Sequence, residues 1–273
     1  MKRIVVLGAN GMLGYAVSEY FSRRQWSVVP LTRSEYNIAI EPMTKLETLC
    51  EGANVVVNCA GVIKPQIKYH SVDDVLRING VFPRNLAKMC SRMNIECFHI
   101  TTDCVYSGKK GKYTEEDCFD AEDLYGVSKN LGENTESMTL RTSIIGEERN
   151  QSRSLLSWAI TQKGKEVMGF TNHYWNGVTT VCLSEIIETI LEKNMYDKGI
   201  FHIFSKKGVS KCELLQLING IYGLSLSVKE HQNETRCDRT LSSVFPLNNM
   251  VMHKSLETQL EEMRMFFDQG GCI

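Results

Sequence analysis

The sequence predicts an α/β fold, a doubly wound parallel sheet with a smaller lobe interleaved toward the C-terminus. Three observations predict it. Continuous apolar runs such as Ile4-Val5-Val6-Leu7 and Val55-Val56-Val57 read as strands buried on both faces of a parallel sheet. Stretches with apolar residues at helical spacing follow these runs. The first run ends in the spaced glycines Gly8, Gly11 and Gly14, giving the strand–loop–helix layout of a Rossmann-type unit.

Composition excludes several classes. In 273 residues, 31 basic side chains face 32 acidic ones, for a net charge of −1. Such balance argues against a protein living on nucleic-acid phosphates, and 42% hydrophobic residues argue against disorder. No apolar run is long enough to span a membrane. The apolar stretch after Met1-Lys2-Arg3 is too short for a signal sequence, so a cytoplasmic location is expected. The ten cysteines contain no C-x-x-C pair, which sets aside zinc and thioredoxin-like chemistry; no metal is expected, and most of the thiols read as reduced core spacers.

The glycine loop is the first candidate site. Gly8, Asn10, Gly11, Met12, Leu13 and Gly14 are expected to cradle a dinucleotide pyrophosphate at a helix N-terminus. The next strand, Ser27-Val28-Val29-Pro30-Leu31, is followed by Thr32-Arg33-Ser34, basic and hydroxylic where an NAD enzyme usually carries an acid. Arg33 and Ser34 suit a 2′-phosphate, which favours NADP(H) over NAD(H). The third strand ends in Cys59-Ala60-Gly61, small enough for a cofactor to lie against.

Ser71 opens a long helical pattern through Val75, Ile78, Val81, Leu86, Met89 and Met93, with Pro83 predicting a kink or break and Asn79 inside it. Cys97-Phe98-His99-Ile100 is the fourth strand, with His99 read as a satisfied core histidine, and it runs into Thr101-Thr102-Asp103-Cys104. Tyr125 and Lys129 share one helix face at i, i+4. An ammonium beside a phenol favours phenolate, so Tyr125 is expected to move a proton near neutral pH while Thr102 holds a carbonyl.

These residues carry a resemblance. The glycine loop, Asn58-Cys59-Ala60-Gly61, Asn79, Thr102, Tyr125 and Lys129 resemble an extended short-chain dehydrogenase/reductase. Thr101-Thr102-Asp103-x-Val105-Tyr106-x-Gly108, Tyr-Gly-x-x-Lys and Leu140-Arg141-Thr142-Ser143 resemble, more narrowly, sugar-nucleotide reductases of the dTDP-4-dehydrorhamnose reductase type. The similarity is clear to about residue 145 and weaker beyond. It implies a nicotinamide cofactor and reduction of the C4 keto group of a nucleotide-linked 4-keto-6-deoxy hexose, dTDP- or UDP-4-dehydrorhamnose-like. Tyr125 would be the acid, Lys129 would lower its pKa and hold the nicotinamide ribose, Thr102 would orient the ketone, and Asn79 would support the lysine. Asp103, Val105, Ser143, Asn172, Trp175, Asn176 and Arg239 are the expected substrate contacts.

Related dehydratases carry an Asp-Glu pair after the catalytic hydroxyl; Asp103-Cys104 breaks it. Cys104 has two readings, a buried spacer or the acid/base of a bifunctional 3,5-epimerase/4-reductase with His173 as candidate partner. A non-catalytic sugar-nucleotide-binding or regulatory subunit is the competitor from another class.

Toward the C-terminus, Gln151-Ser-Arg-Ser-Leu155 starts a helix, and residues 169–180 form a polar-aromatic loop. A helix from Ser184 to Met195 and a strand over Gly199-Ile-Phe-His-Ile-Phe204 follow, the strand returning to the main sheet. Ser210-Lys-Cys-Glu213 is a capping box, Arg236-Cys-Asp-Arg239 resembles a diphosphate-gripping segment, and residues 255–268 form a last amphipathic helix. The expected cofactor domain is 1–145 plus about 176–205, and the substrate lobe is about 146–175 plus 206–273. The expected partner is a nucleotide-sugar substrate, with no nucleic acid or membrane; a homodimer is allowed for.

Overall fold

A computed structural model describes residues 1–149 and 154–269. The first half alternates strands with helices, two of them between the third and fourth strands: β1 (Arg3–Leu7), α1 (Met12–Ser22), β2 (Ser27–Leu31), α2 (Met43–Leu49), β3 (Val55–Asn58), α3 (Val72–Leu76), α4 (Phe82–Arg92), β4 (Glu96–Thr102), α5 (Leu124–Gly132) and β5 (Met138–Thr142). The second half is more broken: β6 (Ile144–Ile145), α6 (Leu155–Thr161), β7 (Glu166–Phe170), β8 (His173–Trp175), β9 (Val178–Thr179), α7 (Thr180–Glu192), β10 (Gly199–His202), β11 (Val209–Ser210), α8 (Lys211–Tyr222), β12 (Ser227–His231), β13 (Cys237–Asp238), α9 (Leu247–Val251) and α10 (Leu256–Asp268).

The central sheet has six strands in the order β2-β1-β3-β4-β5-β10, all parallel. Alternate residues of each strand feed opposite faces. Ile4, Val6, Val57 and Phe98 pack into the core under α1, α7 and α10. Val5, Leu7, Val56 and Cys97 pack against α2 and α4. The expected Rossmann-type fold and the return of β10 to the sheet are both present. Pro30 lies on edge strand β2, where a missing ladder N–H costs least. Strand order reverses between β1 and β3, so a crevice opens above their carboxyl ends.

The kink expected at Pro83 lies just before it. Ser71 caps α3 by accepting from the Asp74 N–H at 3.1 Å, and residues Arg77–Val81 form one wide π-turn that leads into α4. Pro83 has no N–H to offer the Asn79 carbonyl, and the wide turn absorbs the mismatch.

Three expectations need correction. Residues 169–180 are not a loop: they hold β8 and β9, with β8 central in a small sheet ordered β11-β8-β13. The helix expected from Ser184 begins at Thr180, because the Thr179 hydroxyl caps it from the Cys182 N–H. The helix expected from Gln151 is α6, capped by Ser154; Gln151, Ser152 and Arg153 lie outside the described residues. The Ser210–Glu213 capping box of α8 closes in both directions, at 2.6 and 3.1 Å. At the far end, α10 lies across the first helix. Phe267 stacks on Tyr15 at 5.6 Å, and the Arg23 guanidinium covers Phe266 at 3.8 Å.

A buried charged row crosses the sheet. Arg141 donates to both carboxylate oxygens of Glu133, to the Tyr106 hydroxyl at 2.6 Å and to His202 Nε2 at 2.8 Å. His202 Nδ1 therefore carries the proton and donates to the Ser242 carbonyl at 2.7 Å. Burial pushes its pKa down to about 4, and His99 is likewise pushed down. The unfolded chain takes up protons near the ordinary value of about 6.5 while the folded chain resists, so stability should fall as pH drops from there toward 4. Urea midpoints at pH 7 and pH 5 check this: a lower midpoint at pH 5 is expected.

Candidate functional site

The glycine loop forms one wall of a cavity of about 810 Å³. Gly8 adopts φ +76°, and its N–H and that of Ala9 both donate to the Leu31 carbonyl, which fixes the loop above β2. A Cβ on Gly14 would stand 2.2 Å from the Gly8 carbonyl oxygen, so only glycine lets α1 seat this close. Gly11 is the N-cap of α1 and supplies no side chain to its first N–H groups. Those donors and the positive helix end suit a phosphate. Asn10, Met12, Leu13, Arg33, Cys59, Ala60 and Gly61 also line the cavity.

Thr102, Asp103, Cys104, Tyr125 and Lys129 line the same cavity. Thr102 ends β4 and caps the short turn Asp103–Val105, accepting from the Cys104 N–H at 3.1 Å. Asp123 caps α5, and a Cβ on Gly126 would meet the Cys104 carbonyl at 2.4 Å. Glycine after Tyr125 is thus what lets α5 bring the phenol to the end of β4. Lys129 points down to the Ile100 carbonyl, 2.9 Å away. Asn79 does not bond Lys129. Its amide accepts from the Val62 N–H at 2.8 Å and donates to the Val62 carbonyl and Ser128 hydroxyl, each at 3.0 Å, holding the 61–62 loop beside the lysine.

Protonation differs from the sequence expectation. Burial raises the Tyr125 phenol, Cys104 adds to the rise, and only the Thr102 hydrogen bond works against it. Lys129, turned to a carbonyl, does not offset the burial, which pushes its own pKa down to about 8. Burial therefore favours the neutral phenol at Tyr125. Burial pushes the Cys104 thiol up to about 12, so it stays protonated too. His173 is not its partner: it sits on β8, with Nε2 facing the Thr235 carbonyl at 3.1 Å, and it does not line the cavity.

The expected substrate contacts divide. Ser143 and Trp175 line the cavity, joined by an indole N–H to hydroxyl bond of 2.8 Å. Val105 does not line it: it is fully buried against Tyr106, Tyr113 and Leu241. Asn172 spends its amide on the backbone of Asn233, and Asn176 on that of Leu241. Arg239 donates to the Tyr106 carbonyl at 2.8 Å and lies behind the cavity wall, where its charge acts on Asp103.

Ser34 is already committed. Its hydroxyl donates to Glu35 at 2.8 Å, and the Thr32 hydroxyl and N–H donate to the same carboxylate, holding its pKa down to about 2. Glu35 lies one residue past the Thr32-Arg33-Ser34 segment that follows β2. His99 is half satisfied: Nδ1 meets the Asn58 amide at 3.2 Å, while Nε2 has no partner. Lys211, from the first turn of α8, lines the cavity and was not singled out; one lysine after a capping serine looks like an ordinary solvated helix start. All nine cysteines among the described residues are free thiols, and Cys272 lies outside them. Among the described residues no metal-binding cluster and no membrane-length apolar helix occurs.

A parallel sheet with its crevice at the β1/β3 reversal, a glycine loop at one end and Thr102, Tyr125 and Lys129 at the other define a protein of the extended short-chain dehydrogenase/reductase type. The chain belongs to the RmlD substrate binding domain family, whose sequence model matches residues 1–269. It is 28% identical to a dTDP-4-dehydrorhamnose reductase of Aggregatibacter actinomycetemcomitans, over 77% of this chain and 76% of that one. It is also 25% identical to the methionine adenosyltransferase 2 subunit beta of Pongo abelii, over 94% and 82%. The solved dTDP-4-dehydrorhamnose reductase of Bacillus anthracis in complex with NADP shares the fold with a TM-score of 0.82, covering 97% of this chain and 99% of that one at 21% identity.

Proposed function

We propose that the protein reduces the C4 keto group of a nucleotide-linked 4-keto-6-deoxy hexose with NADP(H). The observation that carries this is the single cavity shared by the glycine loop and by Thr102, Tyr125 and Lys129. The loop and the open start of α1 would hold the cofactor diphosphate, Arg33 the 2′-phosphate and Lys129 the nicotinamide ribose. Bound there, a reduced nicotinamide supplies a hydride equivalent. Carbonyl reduction also needs a proton on oxygen, and Tyr125 is a protonated phenol placed to give it, with Thr102 orienting the carbonyl. Residues 146–175 and 206–273 would supply the substrate side, with Ser143, Trp175 and Asp103 nearest the sugar.

The test is NADPH consumption on a panel of dTDP-, UDP-, GDP- and CDP-linked 4-keto-6-deoxy hexoses. Turnover on at least one is expected. Arg33→Ala should weaken NADPH binding about tenfold and spare NADH, because it removes one charge-assisted contact to a phosphate. Product formed in deuterium oxide should carry no deuterium at C3 or C5, since epimerisation through Cys104 would need a thiolate that burial disfavours. A second reading, a regulatory subunit, is favoured by the similarity to methionine adenosyltransferase 2 subunit beta. Nucleotide-sugar or NADPH binding without turnover on the whole panel would select it.

A further inference from the structure

Lys211 is badly placed for a structural lysine. It opens α8, the positive end of a 12-residue helix, where a cation is disfavoured. The capping box already satisfies that helix end, so Lys211 has no capping duty. Its side chain is half-buried, and burial lowers its proton affinity. Among the described residues its ammonium has neither a hydrogen bond nor an ion pair, and it lies over the face of Trp175, 5.2 Å away. It nevertheless lines the cavity, beside Asp103 and Cys104 at the Tyr125 end rather than at the glycine loop. Around it two cations, Lys211 and Arg239, act on one buried carboxylate, Asp103. A local arrangement that breaks several folding preferences without compensation marks a site kept for binding.

We propose that Lys211 is the specificity-determining cation of the cavity and binds an anionic oxygen of the sugar nucleotide above the Trp175 ring. Lys211 presents an ammonium with no hydrogen-bond partner to the cavity, so an anionic oxygen would complete it. In a 6-deoxy sugar nucleotide the phosphate that links the sugar brings that chemistry. The inference rests on the sugar-nucleotide reading of the cavity.

The experiment measures Kd by calorimetry for wild type, Lys211→Met and Lys211→Arg. The ligands are UDP, UDP-glucose, UDP-glucuronic acid, dTDP and dTDP-glucose. Lys211→Met should raise Kd about tenfold or more for the ligands whose anionic oxygen it meets, and Lys211→Arg should stay within about threefold of wild type. An equal loss on the free diphosphates and the sugar nucleotides identifies the phosphate; a loss confined to UDP-glucuronic acid overturns the phosphate assignment and the 6-deoxy substrate with it. Methionine removes a cation whose burial is unfavourable, so the melting temperature should not fall and weakened binding is not misfolding. If wild type binds and Lys211→Met matches it within about twofold on every ligand, the assignment of Lys211 is overturned and the sugar-nucleotide reading stands. If wild type binds none of them, that reading falls and the assignment with it.

Discussion

Tyr125→Phe should lower NADPH-dependent reduction by about 10²–10⁴-fold, the usual contribution of a positioned acid, while leaving NADPH and nucleotide binding intact. The side chain is held by α5 through the close approach of Gly126 to Cys104, not by its hydroxyl, so phenylalanine can occupy the same space. What is lost is the proton donor and its contact with Thr102. Fluorescence titration with NADPH and stopped-flow turnover separate the two quantities. Unchanged turnover would remove Tyr125 from the chemistry, and lost binding would place it in the cofactor site instead.

Arg141→Met should cost about 3–5 kcal/mol of stability, since it leaves Glu133 as an unpaired carboxylate deep in the protein. Arg141 also serves Tyr106 and His202, so three partners lose a donor at once. The melting temperature should fall by about 10 °C. Adding Glu133→Gln should recover part of the loss, because the stranded charge is then gone. A single variant as stable as wild type would show that the pair contributes nothing net. The loss should also reach Lys129 one helical turn away, whose proton affinity Glu133 supports.

The first half of the chain was legible because its signals are local. β1 and β3 are apolar on both faces, glycine spacing marks the loop, and an i, i+4 pair marks Tyr125 and Lys129. Val105, Asn172 and Asn176 were misjudged for a common reason: a residue near a site in sequence can turn its side chain into the core or onto distant backbone. The strands inside 169–180 are too short and too polar for a period of two to show. The phenol's raised pKa was invisible because the effect of burial depends on the folded surroundings, whereas spacing reports only the neighbouring ammonium. Lys211 sits at an ordinary helix start, and His202 on β10 meets Arg141 across 61 residues of chain, where no pattern announces them.

The packing of α10 over α1 also sets an order of events at the ribosome. Tyr15 and Arg23 leave the exit tunnel long before their covers, Phe267 and Phe266, are made; Arg23 and Phe266 stand 243 residues apart. The helix that would receive a dinucleotide therefore waits with an open aromatic flank until α10 has been made. Completion of this fold is expected to await α10, with nascent chains truncated before it prone to self-association through that flank.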